Sequence, residues 1–315
     1  MHKRNKSSRV ARKNALVGGF ARTVVANRQS RNIYLVPAGV FLGLLAVFPL
    51  IRLTQIAFSD VTVSSIVTGD WAPVGWANFT NVVNDDGFLP VVGNTLVFVV
   101  VVTVFGLLGG LLAALALARP DRFSGFVLAL MVFVWALPPV VNGSVWKFLL
   151  GSRGLINSVL LETNLISSPV PFLYDIRFAL VSVALVNVWA VVPFNTLVFR
   201  AAMLGIPSEQ LEAARLDGAR PSQEIRHVIL PGIRATGVVL AVLTIVYSFR
   251  SFDYIYVMTF GGPGVATTTL PFLGYLKAFA LLDFGGGAAT AFLVVIVVVV
   301  LAFLYAASVR KEERG

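Results

Sequence analysis

Six apolar blocks, at 33–58, 91–118, 126–150, 178–199, 237–258 and 284–309, each run for 22 residues or more with few charges. A hydrocarbon core of about 30 Å is crossed by roughly 20 apolar residues in helical form. Lipid offers the backbone no hydrogen-bond partners, so blocks of this kind fold as helices that satisfy their own N–H and C=O groups. Only 13% of the 315 residues are charged, against about 25% in soluble domains. That is too little charge for an ordinary water-facing surface. The sequence therefore predicts an all-α membrane protein with about six transmembrane helices.

The net charge of +10 is concentrated in one place. Residues 1–32 hold nine Lys or Arg and no acid, and the remainder carries sixteen basic against fifteen acidic side chains. Aromatic residues are not interleaved with this basic tail as a nucleic-acid groove would require, so no nucleic-acid partner is expected. Lys and Arg beside a span stay in the cytoplasm and are drawn to anionic lipid. The stretch 59–90 contains Asp60, Asp70, Asp85 and Asp86 but no Lys or Arg. Basic residues return at Arg119 and Arg122, again at Arg200, Arg215, Arg220, Arg226 and Arg234, and finally at Arg310, Lys311 and Arg314. With six spans all these segments fall on one side, which places both termini in the cytoplasm. The organisation read from this is a disordered basic tail at 1–32 followed by a single membrane domain at 33–315.

Several chemistries are excluded. The chain has no cysteine, only two histidines, and no Gly-x-x-x-x-Gly-Lys-Ser/Thr phosphate loop. Disulfides, Cys-ligated zinc and thiol catalysis are therefore excluded, the chain is not expected to hydrolyse ATP by itself, and no metal or cofactor of its own is expected. Inside the blocks, Pro49, the pair Pro138-Pro139, and Pro193 each remove a backbone donor and are expected to kink their helices. Gly106, Gly110, Ala114 and Ala118 recur every four residues and form a small-residue stripe for close helix packing.

The most informative segment is polar and lies at about 200–234, between the fourth and fifth blocks. Pro207 and Ser208 suit a helix start, with Glu209 favoured in the first turn. Leu211 and Ala214 share one face, while Glu212 and Arg215 stay polar. Gly218, after Asp217, is placed to end the helix in a left-handed conformation. Pro221 then suits the first position of a second helix. A helix this short is marginal alone in water and needs something to dock against.

Glu212-Ala213-Ala214, Gly218 and Leu230-Pro231 resemble, at matching spacing, the EAA loop of bacterial ABC importer permeases, with Val228 where that loop carries isoleucine. Gly75-Trp76-Ala77-Asn78-Phe79, Gly154-Leu155-Ile156-Asn157, Trp189 with Pro193-Phe194, and the run from Phe252-Asp253 through Gly261-Gly262-Pro263 to Thr269-Leu270 resemble the carbohydrate permeases of the maltose, multiple-sugar and glycerol-3-phosphate type. Two departures are Arg220, where a Ser or Thr cap is usual, and Ala190, where a polar residue commonly follows the tryptophan.

The resemblance implies a multi-pass subunit of the bacterial inner membrane. Its partners would be a second, similar permease, two ATP-binding subunits that hold the ATP and Mg, and an extracytoplasmic solute-binding protein. Glu212, Ala213, Ala214, Asp217, Gly218, Leu230 and Pro231 would make the ATPase-coupling loop. Polar and aromatic residues within the spans are candidates for a sugar or polyol pathway: Asn187, Trp189 and Asn195 on the fourth, Tyr247, Arg250, Asp253 and Tyr254 on the fifth. Arg250 and Asp253 stand three apart, a spacing at which helical residues pair. A competing reading is an ion-coupled secondary transporter, which would show an internal repeat and buried acids. A membrane enzyme would need clustered His, Asp or Glu.

Overall fold

The computed structural model describes residues 34–119 and 121–312, with side chains as far as Phe303. The basic tail and the side chains of Arg310, Lys311 and Arg314 lie outside the described residues. The chain divides at Gln55 into two units. The apolar helix Val36–Ala57, which lies in the first unit as far as Gln55, opens into a wide π turn at Gly43–Val47, just ahead of Pro49. Pro49 has no N–H to give the carbonyl four residues back, and the wide turn absorbs that missing bond.

In the second unit, four more helices are long and apolar enough to cross a membrane. They are Phe88–Ala116 (span two), Ala179–Leu204 (span four), Arg234–Met258 (span five) and Phe284–Phe303 within a longer helix (span six). Span three is broken. Arg122–Ala136 and Pro139–Leu149 meet at 103°, so the described residues hold six crossings only if this pair counts as one. The expected proline kink is thus a near right-angle turn. Pro139 opens the second half at its first helical position, where a missing N–H costs nothing. The second half then lies against span five. Asn142 donates to the Tyr254 hydroxyl at 3.4 Å, and Lys147 Nζ donates to the Val257 carbonyl at 2.8 Å.

Span two packs along span four, and the stripe explains how. Gly106, Gly110 and Ala114 are buried. A Cβ on Gly110 would stand 2.5 Å from Asn195 Cβ and 3.1 Å from its backbone carbon. Ala118 takes no part, because the helix ends at Ala116 and Ala118 is exposed. Pro193 sits within span four without ending it. Span three begins at Asp121, whose carboxylate accepts the Ser124 N–H at 2.6 Å. Hydrogen bonds from Ser124 hold that carboxyl below the usual carboxylate range.

The connections are folded too. Ser59–Asp60 and Ala72–Pro73 form a two-residue antiparallel ladder. Asn78 donates to the carbonyls of Ala57 and Ser59 and lies against Gly285, where a Cβ would sit 2.7 Å from Asn78 Nδ2. Asn157 is fully buried and exchanges two hydrogen bonds with Val170. In the run after span five, Gly261 has φ +84°, and a Cβ there would meet Phe272 and Thr268 at 2.7 Å. Asn94 donates to the carbonyls of Val265 and Thr268, and Thr95 accepts the Leu270 N–H at 2.9 Å. These polar groups fasten loops to helix ends, so the motifs at 75–79, 154–157 and 261–270 serve the architecture.

Candidate transport pathway and coupling loop

Between the spans lies a cavity of about 340 Å³ lined by Trp135, Ala190, Val191, Phe194, Leu243, Thr244 and Tyr247. Trp135 and Phe194 stack across it with ring centroids 5.6 Å apart. The lining is largely apolar and aromatic, with the Thr244 and Tyr247 hydroxyls and the Trp135 indole N–H as its side-chain polar groups. Flat aromatic walls with a few hydroxyls suit the apolar face of a sugar ring or a polyol chain.

Of the candidate pathway residues read from sequence, Tyr247 lines the cavity, as do Ala190 and Phe194 from the stretch that resembles the carbohydrate permeases. Trp189, half exposed, sets its ring edge-on to Trp146 at 6.0 Å. Asn187, Asn195 and Tyr254 are buried in helix contacts. Asn187 donates to Ser251 Oγ at 2.7 Å, Asn195 Oδ1 accepts from Thr244 at 3.4 Å, and Tyr254 accepts from Asn142. Arg250 and Asp253 do not pair among the described ion pairs. Span five is interrupted between them: Ser251 is extended, with ψ near 120°, so the helical spacing that would bring them together is lost. Trp135 and Thr244 are the residues that sequence reasoning missed. Neither stands out in sequence, because their convergence depends on the fold. Among the described residues no three His, Cys, Asp or Glu gather in a metal-binding group.

The second candidate site is the loop after span four. Ser208–Leu216 is a nine-residue helix with no buried residue. It ends in a full Schellman turn. Gly218 has φ +80°, its N–H donates to the Arg215 carbonyl, and the Ala219 N–H donates to that of Ala214, both at 3.0 Å. The next helix starts at Pro221 and needs no Ser or Thr cap at Arg220. The Gln223 side chain turns back to accept the Arg220 N–H at 2.7 Å, which is half of a capping box. That helix passes through a π turn at Ile225–Ile229 into Leu230–Gly232, and span five begins at Arg234. At the root of the loop, a Cβ on Gly232 would stand 3.1 Å from Ile206 Cδ1. A polar hollow of about 290 Å³ lies there between Ile206, Pro207, Gln210 and Thr236.

Among the described residues, nothing covers the outer surface of the loop. Glu212, Ala213 and Asp217 are exposed, Ala214 is half buried, and Leu230 and Pro231 are exposed at the far end. Leu216 is 88% exposed. Glu212 enters no ion pair among the described residues.

Residues 106–314 match the family model described as binding-protein-dependent transport system inner membrane component. The chain belongs to that family. A relative from Agrobacterium fabrum, the sn-glycerol-3-phosphate transport system permease protein, is 33% identical over 214 residues, covering 67% of this chain and 72% of the relative. The trehalose/maltose transport system permease protein of Thermococcus litoralis is 33% identical over 177 residues, 56% of this chain and 59% of that one. A solved bacterial ABC transporter involved in import of the acidic polysaccharide alginate shares the fold, with a TM-score of 0.75, 21% identity, and coverage of 94% of this chain and 99% of that one. This permease is accordingly a multi-pass inner-membrane component of a binding-protein-dependent importer.

Proposed function

We propose that this permease forms one half of an ATP-driven pathway for a sugar, oligosaccharide or polyol such as glycerol 3-phosphate. A second, similar permease supplies the other half. ATP and Mg are held by partner ATPase subunits, and an extracytoplasmic binding protein delivers the cargo. Both termini and the loop at 200–234 face the cytoplasm. The observation that carries this reading is the preformed helix Ser208–Leu216, ordered yet uncovered, with Leu216 almost wholly exposed. A short helix with an exposed leucine and a glutamate that enters no ion pair among the described residues gains stability when a partner covers it. The printed functions of the relatives and the aromatic cavity support the cargo class.

Cargo follows from ATP hydrolysis by the assembled transporter in nanodiscs. Its own binding protein should stimulate hydrolysis with a neutral oligosaccharide or with glycerol 3-phosphate, and not with methionine or histidine. Stimulation by the amino acids alone would refute the cargo class.

A further inference from the structure

Arg215 closes the last turn of the helix Ser208–Leu216, and Glu224 closes the first turn of the helix that begins at Pro221. Across the turn at 217–220 they meet as a fork. Arg215 Nε lies 3.1 and 3.3 Å from the two Glu224 oxygens, and Nη2 lies 3.2 Å from Oε2. The Glu224 side chain is only 13% exposed, while that of Arg215 is 62% exposed. Both Glu212, one turn back, and Glu224 are acids within electrical reach of Arg215. The hydrogen bonds with Glu224 are the larger influence holding its guanidinium charged.

We propose that Arg215 and Glu224 are positioning residues for coupling, fixing the angle at which the exposed helix is presented to the ATPase and leaving Glu212 free to dock. This rests on the coupling role of the loop proposed above. Two features of the loop require such a strut. No residue of the exposed helix is fully buried, with Leu211 and Ala214 only partly covered, so apolar packing orients it weakly. It is joined to the following helix by the short turn at 217–220, where a Cβ on Gly218 would meet nothing within 4 Å, so no side-chain packing braces that turn. A planar two-nitrogen fork restricts both distance and direction, as a single Lys contact does not.

The chain has no cysteine, so spin labels can be placed at Glu209→Cys and Arg226→Cys in the full-length protein in nanodiscs. The parent should give one narrow distance distribution. Arg215→Gln and Glu224→Gln should each broaden it, and the charge exchange Arg215→Glu with Glu224→Arg should narrow it again. In parallel, the ATPase retained by the tagged chain on purification from its own membranes should fall about threefold to fivefold in each single variant. It should recover in the exchange. Arg220→Gln removes one positive charge from the turn without touching the pair and should change neither readout; an equal loss there would assign the effect to net charge and overturn the proposal. Unchanged distances in the single variants would also overturn it, as would an exchange that fails to restore retention. Broadening with full retention of ATPase would reject the positioning role. Full retention by Glu212→Lys as well would reject the coupling reading itself, so the two failures are told apart.

Discussion

Glu212→Lys is expected to strip most of the ATPase from the purified complex while leaving the membrane domain folded. Glu212 is exposed, unpaired among the described residues, and one turn from the exposed Leu216. Reversing its sign places a cation where a partner arginine would meet the carboxylate. Breaking a buried charge pair at an interface costs about 2–5 kcal/mol, about thirtyfold in retention at the low end. Gly218→Val should act differently. A Cβ there meets nothing within 4 Å, but φ is +80°, so the penalty is conformational and falls on the turn. That variant should keep part of its ATPase and move less cargo per ATP hydrolysed. On intact cells, Ser222→Cys should be shielded from an impermeant thiol reagent in both backgrounds, as a cytoplasmic loop requires. If both variants retain ATPase and transport like the parent, the loop is not the coupling element.

Gly110→Val should be the most damaging single change within the spans. The obstruction at Gly110 is largely backbone, Asn195 C and Thr196 N at 3.1 and 3.2 Å, and backbone in a packed helix cannot step aside as a rotamer can. Overpacking of this kind costs about 1–3 kcal/mol or more. Spans two and four would have to separate, moving the cavity wall at Ala190, Val191 and Phe194 with them. Gly93→Val, on the same helix with nothing within 4 Å, is the matched control. Thermal unfolding in detergent, followed by size-exclusion profile, should show a large loss for Gly110→Val and little change for Gly93→Val. Equal midpoints would remove the close-packing account of the stripe.

The apolar blocks were readable because lipid forces each crossing to be both long and apolar, so composition and length alone mark it. Gly218 and the paired helices of the loop were readable because turn chemistry is local. What could not be read depends on residues distant in sequence. Pro138-Pro139 announces a break, but not the 103° angle, at which Asn142 and Lys147 reach Tyr254 and Val257 more than a hundred residues away. Arg250 and Asp253 looked like a helical pair because nothing local reveals that the helix stops at Ser251, whose hydroxyl accepts a hydrogen bond from Asn187. Asn187, Asn195 and Tyr254 are buried between helices in this structure, and a buried polar side chain reads alike in sequence whether it faces a cavity or another helix. The cavity joins Trp135, Phe194, Thr244 and Tyr247 from three spans, a convergence no spacing encodes.

The central claim is that this permease moves cargo only when driven through its loop by a partner ATPase. The most direct measurement is uptake into proteoliposomes containing the chain alone, under an imposed proton or sodium gradient, compared with the chain plus the second permease, the ATPase subunits, the binding protein and ATP. The account predicts no concentrative uptake and no ATP hydrolysis by the chain alone, and both in the complete assembly. Gradient-driven accumulation by the chain alone would contradict it.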